Sequence, residues 1–170
     1  MNRIVSTSWA VLGAPFLVVL GLSCGDPVHA GAVADLGPEA SGVRTGPLHR
    51  PGQPCTVCHS GSGPGSPTWV VAGTVFDGAG SATPAVGAKV SLVDAKGEQL
   101  TLTTNGAGNF YVREGAFGGA LPFRQVTISQ DGHVDAIMKT QINGTGGCAE
   151  CHRGNGNQGR VPALFLGAKQ

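Results

Sequence analysis

Apolar and polar residues alternate in short runs through the middle of the chain, and long runs at helical spacing are absent. Trp69-Val70-Val71-Ala72-Gly73-Thr74-Val75-Phe76 is rich in β-branched and aromatic residues and stops at Asp77-Gly78, as a strand ending in a turn does. Lys89 to Val93 alternates and turns at Asp94-Ala95-Lys96-Gly97; Leu100 to Thr103 alternates again before Asn105-Gly106 and Gly108. Asn109 to Val112, Gln125 to Ser129 and Val134 to Ile142 complete the set. Short strands at this even spacing predict an antiparallel sandwich or barrel, a mainly β fold. The flanks read differently. Residues 25–54 lack periodicity and are rich in Gly, Pro and Ala, and Ser60 to Pro67 is a Gly/Ser/Pro linker.

The N-terminus carries a separate signal. Met1-Asn2-Arg3 is a positive start, and Ile4 to Leu22 is uncharged and mostly apolar, the layout of an export segment. Two endings compete. Leu20-Gly21-Leu22-Ser23-Cys24 resembles a bacterial lipobox, with Gly21 departing from the usual Leu, and it would make Cys24 a lipidated N-terminus. Val28-His29-Ala30 resembles an ordinary small-residue cleavage site. The lipobox accounts for an unpaired Cys and ends directly on the apolar run, so an exported, membrane-anchored lipoprotein of the periplasm or outer surface is expected. The expected division is 1–23 signal, 24–54 tether, 55–67 first motif and linker, 68–145 β module, and 146–170 second motif and tail.

Composition narrows the chemistry. Only 12% of residues are charged and the formal net charge is +1, so no basic surface speaks for nucleic acid. Aromatic residues are 5% of the 170, and a module this small has a modest core of its own.

Four of the five Cys lie in two copies of one pattern, Cys55-Thr56-Val57-Cys58-His59 and Cys148-Ala149-Glu150-Cys151-His152. C-x-x-C-H is the spacing of a c-type haem attachment site. Two thiols one helical turn apart add to the two vinyl groups of a haem, and the next His ligates its iron. Zinc is the first alternative, but zinc-binding pairs are usually about 15–20 residues apart, and a whole β module separates these. Two small disulfides are the second. Neither explains a His at the same offset after each pair. Two covalently attached c-type haems are therefore expected, bonded through Cys55, Cys58, Cys148 and Cys151, with His59 and His152 as proximal iron ligands.

Val71-Ala72-Gly73-Thr74-Val75, Gly87-Ala88-Lys89-Val90-Ser91-Leu92 and Thr104-Asn105-Gly106-Ala107-Gly108-Asn109-Phe110 resemble the carboxypeptidase regulatory-like, transthyretin-like family. That resemblance implies an immunoglobulin/transthyretin-like antiparallel β-sandwich with no catalysis of its own. The full layout resembles bacterial c-type cytochromes in which such a module is flanked by two haem motifs. There a Met precedes the second motif and a Gly-Arg-Ile/Val stretch follows it, positions held here by Met138 and Gly159-Arg160-Val161.

Each iron takes a sixth ligand or keeps an open position. His49, His133 and Met138 are the distal candidates, and His29, in the tether near a cleavage point, is discounted. Sandwich topology predicts that the His133 loop shares an end with Trp69, within reach of the first haem. Mid-strand Met138 reads either as core packing or as a ligand to the second haem, which the family resemblance favours. Arg153 and Arg160 suit haem propionates. The expected function is electron transfer between redox partner proteins, other cytochromes among them, without catalysis. A peroxidase-like dihaem enzyme and a haem-bearing module that assembles a larger electron-transfer complex are the alternatives.

Overall fold

The computed structural model describes residues 26–39, 41–154 and 161–170. The expected export segment, Cys24, Gly159 and Arg160 lie outside the described residues. The chain is mainly β, with antiparallel sheets and a few short helices. A helix α1 (Pro27–Ala34) and a helical turn α2 (Cys55–Cys58) precede β1 (Trp69–Phe76), β2 (Lys89–Val93), β3 (Gln99–Thr103), β4 (Asn109–Arg113), β5 (Gln125–Ser129) and β6 (Ala136–Ile137). A second helical turn α3 (Cys148–Cys151) leads to β7 (His152–Gly154), β8 (Val161–Pro162) and β9 (Leu164–Phe165). One sheet has the order β4-β1-β9, another β3-β2-β5-β6, and β7 pairs with β8. Among the described residues no helix is long and apolar enough to cross a membrane.

The alternation in sequence becomes alternation in burial. Val90 and Leu92 of β2, and Val126 and Ile128 of β5, point inward while their neighbours are exposed or half-buried. β1 is different, being buried continuously from Val71 to Val75. Such a run requires cover on both faces. Val71 and Val75 join Phe110 and Val112 of the same sheet and Val90, Leu92, Val126 and Ile128 of the other in one core cluster. Elsewhere on β1 the Ala72 N–H donates to the Gly146 carbonyl (3.1 Å), and a Cβ at Gly73 would come within 3.0 Å of the Cys148 Cβ. A strand glycine marks a close approach, and here the segment carrying the second Cys pair makes it.

Asp94 holds the β2–β3 turn and is 0% exposed. One carboxylate oxygen accepts the Lys96 and Glu98 N–H groups (both 2.8 Å), and the other accepts that of Ala120 (3.2 Å). Burial raises its pKa, but the backbone donors and the nearby Lys96 charge outweigh that and hold it below the ordinary carboxylate range. A depressed folded-state pKa contributes stability that is present above the unfolded value and lost as pH falls through the folded one. Asp94→Asn, which cannot accept all three bonds, is expected to lower the melting temperature at pH 7 and by less at pH 3, as thermal unfolding at the two pH values would measure.

Three segments depart from expectation. Residues 27–34 are helical because Asp26 caps the Val28 N–H (2.9 Å) and Pro27 stands at the first helical position. The last expected strand shrinks to Ala136–Ile137, since Val134 donates instead to the Ala168 carbonyl (2.8 Å). The tail, in which no strand was expected, contributes β8 and β9, and β9 lies parallel to β1 with Val75 opposite Leu164.

Candidate cofactor-attachment sites

Each Cys pair sits on one helical turn. In α2 the Val57 N–H donates to Pro54 and that of His59 to Cys55 (3.0 and 2.9 Å), and in α3 the Glu150 N–H donates to Gly147 (2.9 Å). Three-residue spacing on a helical turn brings both thiols to one face. All four are free.

The His after each turn is oriented the same way. His59 Nδ1 lies 2.7 Å from the Pro67 carbonyl oxygen, and His152 Nδ1 lies 2.7 Å from that of Pro162. A carbonyl only accepts, so Nδ1 carries the proton and Nε2 presents its lone pair. His152 Nε2 is buried with no hydrogen-bond partner, a costly state for a polar atom unless something ligates it. His59 is 7% exposed and is packed by Gly65, where a Cβ would lie 2.9 Å from three atoms of the ring.

A cavity opens beside each motif, each within the range of cofactor sites. The first, about 690 Å³, is lined by Cys55, Cys58, His59, His49, Trp69 and Tyr111. The second, about 490 Å³, is lined by Cys148, Cys151, His152 and Met138 with apolar residues such as Ile142 and Phe165. The first lies on the β4 side of β1 and the second on the β9 side.

Between the cavities the two turns meet. Thr56, 7% exposed, donates from its hydroxyl to the carboxylate of Glu150, so the variable residues of one motif bond to those of the other. Burial pushes the Cys148 thiol up to about 12, with the nearby Cys55 and Cys151 thiols and Glu150 adding to the shift, and burial also raises Cys55. Both are protonated thiols at neutral pH. Among the described residues no three His, Cys, Asp or Glu side chains converge on a metal-sized site.

The distal candidates scatter. His49 lines the first cavity, its ring centroid 6.0 Å from that of His59. Met138 lines the second and packs partly buried against the core. His133 lines neither. It pairs with Lys169, and Leu166 donates to the Phe76 carbonyl (3.0 Å). The added tail strand therefore carries the His133 loop to the Phe76 end of β1, away from Trp69. His29 lies in α1 with Nε2 buried and unpartnered. Arg153 Nε donates to the Ala149 and Glu150 carbonyls (2.9 and 3.1 Å), capping the α3 turn.

Sequence reasoning missed the residues that set these sites: the carbonyls of Pro67 and Pro162, the Thr56–Glu150 contact, and Asn109, which holds the His49 loop. A proline eight or ten residues after each His was the one visible signal. No protein-family profile matches the chain, and neither a curated protein nor a solved structure matches it.

Proposed function

We propose that this chain is an exported dihaem cytochrome c that carries electrons between redox partner proteins, with its two main sheets packed as a sandwich that supports both haem sites. One observation carries the reading. The same three-part arrangement occurs twice: paired thiols on a helical turn, a following imidazole held through Nδ1 by a proline carbonyl, and a cavity in front of both. Nothing in the packing of a β fold requires that coincidence.

Cys55 and Cys58 would hold one haem by thioether bonds and Cys148 and Cys151 the other, with His59 and His152 as iron ligands. Bound there, the iron takes up and gives back single electrons. The chain's own task is to keep each imidazole fixed through the cycle, which the carbonyl contacts do, and to exclude water, which walls such as Ile142 and Phe165 do. The lipid anchor at Cys24 belongs to the same proposal, supported by the lipobox-like Leu20-Gly21-Leu22-Ser23-Cys24 at the end of the apolar run.

Mass spectrometry of the exported protein tests the reading. The expected product is heavier than the processed polypeptide by two haems and gives a c-type pyridine haemochrome spectrum. A product at the polypeptide mass refutes it.

A further inference from the structure

We infer that His49 is the second axial ligand of the first haem, opposite His59, which makes that centre bis-histidine; the inference rests on the dihaem reading above. The ring centroids are 6.0 Å apart and the planes are inclined at 42°. With metal–nitrogen bonds of about 2 Å and about 1 Å from each nitrogen to its ring centre, two imidazoles on opposite sides of one ion have centroids about 6 Å apart. The tilt excludes direct stacking and is compatible with a shared axis through the ion, about which the two rings rotate freely.

Both rings offer the same nitrogen. His59 Nδ1 is held by the Pro67 carbonyl, and His49 Nδ1 is turned onto the Gly46 backbone, both its carbonyl and its N–H (3.4 Å), so that Nε2 is the ring nitrogen each His has left for the iron. Both rings and both thiols of the first motif line one cavity.

The loop that carries His49 is fixed before any ligand arrives. The Gly52 N–H donates to Thr74 Oγ1 (2.8 Å), whose hydroxyl donates to Asn109 Oδ1 (2.7 Å), and the Asn109 amide donates to the His49 carbonyl (3.1 Å). Asn105 donates to the Pro47 carbonyl (2.6 Å). Next to His49, Arg50 adopts φ +51°, the only non-glycine residue with positive φ among those described. Its guanidinium donates to Gln53 Oε1 (2.7 Å) and the Gly37 carbonyl (2.8 Å) and pairs with Glu39 (3.3 Å). Strain of this kind persists where surrounding contacts over-determine it. The second cavity has no His other than His152, and Met138 is the additional soft donor there, so the two centres differ in ligand chemistry. A bis-histidine iron has the lower potential of the two types.

The test uses the full-length exported holoprotein, with near-infrared magnetic circular dichroism and carbon monoxide titration. The wild type is expected to show a bis-histidine low-spin band. His49→Ala should lose that band and gain one high-spin, carbon-monoxide-binding haem per chain. Added imidazole should restore the low-spin state. His49→Met guards against misfolding: it should keep two haems, stay low-spin and shift one potential upward. His133→Ala should match the wild type. A His49→Ala protein with two haems and an unchanged band and carbon monoxide response overturns the assignment while leaving the dihaem reading intact. A chain without haem mass overturns both.

Discussion

Replacing Cys148 and Cys151 together with serine should give an exported protein lighter by one haem, with the first site still loaded. Serine occupies nearly the volume of cysteine, so the α3 turn keeps its backbone bonds, and the loss is that of the two sulfurs that would bond the vinyl carbons. The second cavity then lacks its occupant. Ile137, Met138, Leu164 and Phe165 border it, and without a haem packed against them their apolar surface stays open to water. The variant should accordingly melt at a lower temperature than the wild type. Intact mass and the melting curve, recorded together, give the comparison. Retention of two haem masses would refute attachment at this motif.

Phe110→Ala should cost about 3–5 kcal/mol of folding stability, the usual penalty for deleting a large aromatic side chain from a core. Phe110 is 2% exposed and lies opposite Gly73 in the β1–β4 register. A Cβ on Gly73 would come within 2.7 Å of its ring and 3.0 Å of the Cys148 Cβ. The ring and the attachment turn thus meet side by side on one face of the bare strand, and a void left by the ring would loosen the turn beside it. Urea unfolding should show the lower midpoint, and the α-band of the proposed second haem should broaden. A cost below about 1 kcal/mol would mean that the site collapses without loss, contrary to the packing described.

The strands were legible because burial on a sheet has a period of two residues, and β2 and β5 span the residues that alternate. The two C-x-x-C-H motifs stood out because their spacing is local, and each Cys pair does lie on one helical turn. What could not be read was contact between distant segments. Nothing local in Leu164–Phe165 tells that it pairs with Val75–Phe76, yet that pairing decides which end of the fold receives His133. The helix at Pro27–Ala34 was visible in Asp26-Pro27, but the Gly and Ala around it read as a tether. The place of His49 followed from the Asn109 and Thr74 hydrogen bonds, which join residues 60 and 35 positions apart.

The back-to-back contact of the two turns has a consequence for traffic. With the first cavity on the β4 side of β1 and the second on the β9 side, the proposed carrier has two separate ports joined at a common wall. A donor can occupy one port while an acceptor occupies the other. Such a molecule need not release one partner and tumble before meeting the next, and it can serve as a fixed link in a chain of proteins.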